Sequence, residues 1–389
     1  MSQEKFLHNS THNRSFSSTE QGYDFRRGLD KTNILPPPKD IKPEEIAYNP
    51  SAIQHVNIYD KEIPIVYLRV EPNRSDELSS HLGKTVSRPY YLEPSGNLIP
   101  VETLSKTDSS DPGLDEYDIP GEDPAFQKIR ATQDDGSVQE RWMLSVVSVT
   151  PSTDRPDVVD KLQTVFYLGD ELNNLREVAR GPIGMKDIRL CSAHPYDPTS
   201  TELFAYGRPQ GPGNLGNITF VKLDSWEDLR LPDVQRQLCE SIIDPNLYDQ
   251  GSWGGVNDAI MISESHCLLL THQAWRVGDN SRRYEPVLLI HNTDSNKLFK
   301  IGTVAPPEAF LDDPLAPEPK EDANTDLSGV VFTGGLIDRQ IVYQPRFGGD
   351  SAADVIIPLT VGYRDSSVAL AISKLSEAQR TLWYEALQS

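Results

Sequence analysis

Apolar residues in this chain come in short runs, and nearly every run stops at Pro, Gly, Asp or Asn. Runs of that length between turn residues predict β-strands, because a helix long enough to be stable needs a longer apolar stripe. They fall into five groups. The first holds Ile63–Val70 and Val86–Leu92. The second holds Phe126–Arg130, Arg141–Val149 and Leu162–Tyr167. The third is a hairpin, Ile188–Ala193 and Glu202–Tyr206, followed by Asn217–Leu223. The fourth holds Ala259–Ser263, His266–His272 and Pro286–Asn292. The fifth holds Val330–Ile337, Gln340–Pro345, Ala353–Val361 and Ser367–Ile372. Helical pattern is confined to a polar stretch, Ser225–Ile243, and a closing helix, Ser376–Leu387, whose apolar positions are Leu382, Tyr384 and Leu387.

Five strand groups predict an all-β chain, a five-bladed β-propeller with a short C-terminal helix. The alternative is a large β-sandwich, which calls for fewer and longer meanders. No Trp-Asp pair recurs, so the repeat is irregular. The expected domains are a flexible arm over residues 1–45, rich in Ser, Asn, Pro and charge, and the propeller over 46–389. Two Pro- and acid-rich loops, 94–122 and 306–326, interrupt it. In a propeller the innermost strands bring polar residues to an axial pocket. That placement would explain why charge punctuates one end of many strands: Arg69, Glu71, Asp123, Lys186, Asp187, Arg208, Asp258 and Asp365.

Charge narrows the partners. With 37 Lys and Arg against 58 Asp and Glu, the net charge is −21. Such a chain repels nucleic-acid phosphates and has no attraction for an anionic membrane surface. No apolar run is long enough to span a bilayer, and the N-terminus lacks the apolar core of a secretory signal. The three cysteines, Cys191, Cys239 and Cys267, have no paired spacing and read as reduced thiols. A cytoplasmic location is the expectation. Neither a metal-spaced His cluster nor a Walker A, GxGxxG or GxSxG motif is present, so no metal or resident cofactor is expected.

The densest chemistry lies between Gly181 and Gly211. Lys186, Asp187 and Arg189 begin one strand of the hairpin and Arg208 follows the other, so antiparallel pairing returns all four to one edge. Such a cluster suits a polyhydroxylated or anionic ligand; the alternative is a surface salt-bridge cluster of little energetic worth. Glu122-Asp123-Pro124 enters a strand after a long loop, which suits Asp123 either to general-acid work or to capping a turn before Pro. Trp253-Gly254-Gly255-Val256-Asn257-Asp258 combines a ring, two glycines, an amide and an acid. It reads as a sugar grip or as a glycine turn beside a core Trp. His272 ends an apolar strand and is more often a core histidine than a catalyst. Gly334-Gly335 predicts close backbone packing.

Together these landmarks resemble the five-bladed propellers of glycoside hydrolase family 130, the β-mannoside phosphorylases and mannosidases. More closely, RVEPNRSDELS, GPIGMKDIRL, GRPQG, WGGVND and VVFTGGL resemble the domain of unknown function 1861 family, with its Leishmania β-1,2-mannan mannosyltransferase/phosphorylases. The resemblance spans roughly Ile53 to Ser373. It implies an enzyme that cleaves or forms β-mannosidic, β-1,2-mannan linkages with inversion, with an oligosaccharide or mannoside substrate and inorganic phosphate as co-substrate. Asp123 then matches the catalytic acid of the family's Glu-Asp-Pro motif. Asp187 is the second catalytic carboxylate if the pair works as acid and base about 6.5–9.5 Å apart. Arg69, Lys186, Arg189, Arg208, Trp253, Asn257, Asp258, His272 and Asp365 are the expected substrate-binding residues. Arg208-Pro209 is expected as a turn. Two departures stand out: Gly207 replaces the usual His before Arg-Pro, and the fifth-blade Tyr-Gly-Ala-Ala-Asp appears as Gly362-Tyr363-Arg364-Asp365-Ser366. A water-using hydrolase on the same propeller and a non-catalytic glycan-binding propeller remain open.

Overall fold

In the computed structural model the described residues are 33–42, 45–58, 61–72, 84–101, 117–155, 158–210, 216–277, 281–310, 330–337, 342–344, 354–364 and 367–389. They are mostly β. After β1 (Asn33–Ile34), the first strand group comprises β2 (Glu45–Tyr48), β3 (Gln54–Ile58), β4 (Lys61–Pro72), β5 (Val86–Leu92), β6 (Leu98–Pro100) and β7 (Ile119–Pro120). The second comprises β8 (Glu122–Thr132), β9 (Val138–Pro151), β10 (Val159–Gly169) and β11 (Arg176–Arg180). The third comprises β12 (Met185–Ser192), β13 (Leu203–Pro209) and β14 (Thr219–Leu223), followed by helix α1 (Pro232–Glu240). The fourth comprises β15 (Ser252–Met261), β16 (His266–Val277), β17 (Ser281–Asn292) and β18 (Lys297–Thr303). The fifth comprises β19 (Val331–Leu336), β20 (Val342–Gln344), β21 (Asp354–Tyr363) and β22 (Ser367–Lys374), with helix α2 (Glu377–Gln388) after it.

Pairing within each group is antiparallel. A single parallel contact, Gln163 with Met185, joins the second group to the third. The first and fifth groups are stitched together: β1 pairs with β22, and Ile53 bridges in parallel to Ile337. Pairing an outer strand this way covers an edge that would otherwise invite another chain.

Packing between groups explains why the strands read as unbroken apolar runs. Ile65, Val66, Tyr67 and Leu68 of β4 are all buried, although successive side chains face opposite sides of a sheet. Both sides are covered because each group lies between two others. Five apolar clusters fill the gaps, joining groups one and two, two and three, three and four, four and five, and five and one. The core is thus a cycle of interfaces.

The first strand of each group is broken at a corresponding point. Register shifts fall between Glu122 and Ala125 in β8, Lys186 and Arg189 in β12, Val256 and Asp258 in β15, and Thr333 and Gly335 in β19. In the first group the break lies between β2 and β3. Such bulges bend a strand and re-aim its side chains. Asn49, Asp123 and Asp187 sit at three of the breaks with φ of 48°, 53° and 52°. That left-handed region is tolerated by Asn and Asp better than by other side chains. At Gly334 a Cβ would overlap the Pro50 carbonyl, which confirms the close approach expected there.

Several expectations need correction. Residues 33–42, assigned to the flexible arm, are knit in: Leu35 N–H donates to the Val368 carbonyl at 2.8 Å, and Arg88 reaches Asp40 at 3.3 Å. Residues 1–32 lie outside the described residues. Arg208-Pro209 forms no turn; the two residues close β13, opposite Lys186 and Met185. Trp253 to Asp258 lie within β15, so the glycines serve packing and not a turn. Short outer strands β11 and β18 were not expected. In α2 the buried residues are Arg380, Trp383 and Ala386, whereas Leu382 is 43% exposed. Ser376 caps this helix, accepting from Gln379 N–H at 3.3 Å while the Gln379 side chain accepts from Ser376 N–H at 2.9 Å.

Candidate active site

The breaks in the first strands gather a network of ions. Asn49 Nδ2 donates to Asp123 Oδ1 at 2.9 Å, and Arg69 Nη1 from β4 approaches the same oxygen at 3.4 Å. Arg69 Nη2 lies 2.7 Å from Glu71 Oε2 and 2.8 Å from Glu122 Oε2. The other Glu122 oxygen accepts from Lys186 Nζ at 2.8 Å. On β12, Asp187 Oδ1 accepts from Arg189 Nη2 at 3.3 Å and Oδ2 from Arg208 Nη1 at 2.8 Å. Register explains the second pair, since Lys186 and Arg208 are directly opposed across the hairpin.

Arg189 is the hub. Its Nη2 also donates to the Asp123 carbonyl at 3.0 Å, and its Nε to the Asn257 carbonyl at 3.2 Å, so one buried guanidinium ties three strand groups. Asn257 extends the chain to the fifth group through Thr333 Oγ1 at 2.8 Å, and its Oδ1 lies 2.8 Å from His272 Nδ1. Glu71, Glu122, Asp123 and Asp187 face Arg69, Lys186, Arg189 and Arg208. With all eight groups ionised the charges balance; a proton on Asp123 would leave the network with one net positive charge.

Burial tunes the members in different directions. Desolvation alone would lower the Lys186 ammonium, but Glu122, Asp123 and Asp187 more than offset it and hold its pKa above the ordinary lysine value. Arg69 behaves alike: burial opposes its charge, and Glu122, Tyr48, Asp123 and Glu71 outweigh that. His272 goes the other way. Burial first, then Arg208, Arg189 and Lys186, push its pKa well below the ordinary value, so the ring is neutral. The Asn257 amide donates to Thr333, so its oxygen accepts from His272 Nδ1–H, which leaves His272 Nε2 as the unprotonated nitrogen.

Four buried polar atoms here have no partner among the described residues: His272 Nε2, Arg208 Nε, the Tyr248 hydroxyl and Asn49 Oδ1. Burying such atoms unpaired costs about 1–3 kcal/mol each, so a native structure seldom leaves several together without a ligand. The glycines make room for Arg208 and Tyr248. A Cβ at Gly255 would lie 2.6 Å from Arg208 Cδ, one at Gly216 would lie 2.7 Å from Arg208 Cγ, and one at Gly254 would run into Tyr248.

Of the residues expected at the site, Arg69, Asp123, Lys186, Asp187, Arg189, Arg208, Asn257 and His272 belong to this connected network. Asp258 takes a different part: its Oδ2 accepts the Leu336 N–H at 3.0 Å, bridging groups four and five. Trp253 is only 7% exposed and meets Tyr284 edge-on at 6.2 Å, so it forms wall and not an open platform. Asp365 lies outside the described residues. The sequence reading passed over Asn49, Tyr248 and Thr333, and gave Glu71 and Glu122 no binding role. One signal was present: Tyr48-Asn49-Pro50 repeats the pattern of Glu122-Asp123-Pro124, a left-handed Asx before proline.

A family model described as a protein of unknown function, DUF1861, matches residues 129–354. The chain belongs to the DUF1861 family. The family segment contains Lys186, Asp187, Arg189, Arg208, Asn257 and His272, whereas Arg69, Glu122 and Asp123 precede or fall outside it. Among solved structures, this DUF1861 chain is similar to a mannose phosphorylase from Leishmania mexicana in complex with phosphate ion, at 18% identity, TM-score 0.63 and 92% coverage of each chain. It is also similar to a GDP-Man-dependent mannosyltransferase from Leishmania mexicana, at 19% identity and TM-score 0.61, covering 90% of this chain and 91% of that one. A hypothetical protein from Leishmania major aligns at 20% identity and TM-score 0.59, covering 90% and 92%. These likenesses establish a shared fold. No curated protein matches the chain. Among the described residues, no helix is long and apolar enough to cross a membrane, and no group of three or more His, Cys, Asp or Glu is placed to hold a metal ion.

Proposed function

We propose that this protein is a carbohydrate-active enzyme on a five-bladed β-propeller that cleaves or forms β-1,2-mannosidic linkages with inversion, using phosphate or mannose 1-phosphate. The observation that carries the reading is a trio of buried atoms with no partner among the described residues, Arg208 Nε, His272 Nε2 and Tyr248 Oη, beside the carboxylate–cation network. Arg208 and Tyr248 supply donors for anionic oxygens, and His272 Nε2 accepts a proton-bearing oxygen, as a monoprotonated phosphate presents both. The likeness to a mannose phosphorylase solved with phosphate supports the same assignment. Blades correspond to the five strand groups, with their cycle of apolar interfaces.

Asp123 is the acid. Asn49 and Arg69 both reach Oδ1, which holds the carboxyl's rotation and assigns the proton to Oδ2. In cleavage, a phosphate oxygen attacks the anomeric carbon opposite the leaving group, and the glycosidic C–O bond breaks. The proton from Asp123, passed directly or through a sugar hydroxyl, ends on the departing oxygen. One displacement inverts the centre, so no covalent sugar–enzyme intermediate forms. Asp187, expected as the second catalytic carboxylate, has a guanidinium on each oxygen and serves here to position Arg208 and Arg189.

The test is β-1,2-mannobiose cleavage with and without inorganic phosphate, with the sugar product identified. Mannose 1-phosphate formed only in the presence of phosphate is expected. Free mannose released at the same rate without phosphate would reject phosphorolysis and leave the water-using hydrolase.

A further inference from the structure

The candidate site lies at one end of the first strands, and a separate cavity of about 240 Å³ lies at the other. It is lined by Ile129 of β8 and Ile260 and Met261 of β15, with Lys128, Glu140 and Tyr196 around the opening. From Asp123 to Arg130 is seven residues along β8, and from Asn257 to Met261 four along β15. At about 3.3 Å per residue the two places are about 13–23 Å apart. The cavity is therefore no extension of the first site.

Its construction points to a ligand. Tyr196 is 74% exposed, on the turn after β12. Arg130 donates to the carbonyls of His194 at 3.0 Å, Asp197 at 2.6 Å and Pro195 at 2.7 Å, clamping that turn from the cavity side. Asp197 fixes its far end, accepting from Thr199 N–H at 2.9 Å and Oγ1 at 2.7 Å. The single cation of the clamp is thus spent on backbone carbonyls. Lys128 and Glu140 offset one another, with Nζ 3.4 Å from Oε2. The lining thus offers the exposed ring of Tyr196, an apolar floor, and the Lys128–Glu140 pair, whose ammonium also lies 5.0 Å from the centre of the Trp142 ring. At roughly 30 Å³ per water, the space holds about eight waters, the room of a sugar ring.

We propose that this cavity is a second binding site for a neutral sugar unit, which stacks on Tyr196 and hydrogen-bonds to Lys128 and Glu140. Resting on the mannoside reading above, it would hold a distant part of a polymeric substrate while the first site acts on the chain end. Engaging both sites makes the second contact intramolecular and raises avidity without altering the chemistry.

The probe is β-1,2-mannobiose, too short to reach both places at once, titrated calorimetrically without phosphate into the full-length protein, into Tyr196→Ala and into Glu140→Gln. Two equivalents bound by the wild type and one by each variant is the expected result, with β-1,2-mannobiose turnover unchanged within about twofold. Glu140→Gln preserves shape, so a folding defect in Tyr196→Ala would not obscure the outcome. One equivalent in all three proteins would overturn the second site and leave the functional reading intact. Tyr196-dependent binding without any turnover would support the site and count against the enzyme reading. No binding by any of them would overturn the proposal.

Discussion

Asp187 offers a test of how far backbone and charge are built together at the site. Its carboxylate is buried between Arg189 and Arg208, both themselves buried. Its backbone sits at φ 52° in the middle of a strand. Replacing it with Ala removes the counterion of two buried guanidiniums, which costs about 3–5 kcal/mol when one side of a buried ion pair is deleted. Asp187 already carries a Cβ at that φ and tolerates it through local hydrogen bonding of its side chain, which Ala lacks, so Ala adds at most about 1 kcal/mol of left-handed strain. The sum is about 3–6 kcal/mol. Asp187→Gly loses the charge but relieves the strain, and Asp187→Asn keeps the left-handed tolerance and one acceptor oxygen. In an ordinary strand Gly is less stable than Ala by about 0.5–1 kcal/mol. At this position the order should invert, giving Asp, then Asn, then Gly, then Ala. Urea unfolding followed by tryptophan fluorescence, with midpoints compared at equal m-values, reads the series. An Asp187→Ala protein within about 1 kcal/mol of wild type would refute the buried-network account. Ala as stable as Gly would refute the backbone part.

Three further outcomes follow from the same geometry. Asp123→Asn should reduce mannoside cleavage by about 10²–10⁴-fold with the unfolding midpoint little changed, since Asn is equally at home at φ 53°; wild-type turnover would leave Asp123 a turn residue. Gly255→Ala should drive the Arg208 stem aside, because the new methyl would lie 2.6 Å from its Cδ; the expected loss is about 10²-fold in phosphate-dependent rate, and an unchanged rate would take Arg208 out of the reaction. His291 is buried between the Tyr206 hydroxyl and Asn296, each at 3.0 Å, and burial is the main cause that lowers its pKa to about 4 from an ordinary 6.5. Between those values the unfolded chain binds a proton that the native chain refuses. Stability is therefore whole above about pH 6.5 and falls as pH drops, by about 3 kcal/mol on reaching pH 4. Denaturant titrations at pH 7, 5.5 and 4 should show that slope shrinking in His291→Gln, and an equal slope in both proteins would assign the acid sensitivity elsewhere.

Much of the fold was legible along the chain because strands there are short, apolar and punctuated. Val86–Leu92 is found as the sequence predicts, and the five groups follow the order of their apolar runs. The closing helix was legible through its apolar positions, but its buried face was not. Leu382 is as apolar as Trp383 in sequence, and only the position of groups four and five decides which one points inward. Gly254 and Gly255 looked like turn residues because local sequence cannot report that Tyr248 and Arg208 need their space. The cluster on the β12–β13 hairpin was readable because antiparallel pairing fixes Lys186 opposite Arg208 over a short separation. Contacts across long separations were beyond reach: Asn49 to Asp123, Arg69 to Glu122, and Arg189 to Asn257 each join different strand groups. Those bonds depend on where the bulges bring the first strands together, and that follows from the packing of whole groups. Sequence by itself determined which side chains could carry charge and where strands would turn back. Tertiary structure alone decided which charges neutralise each other and which polar atoms stay unpaired, because burial and long-range distance set both.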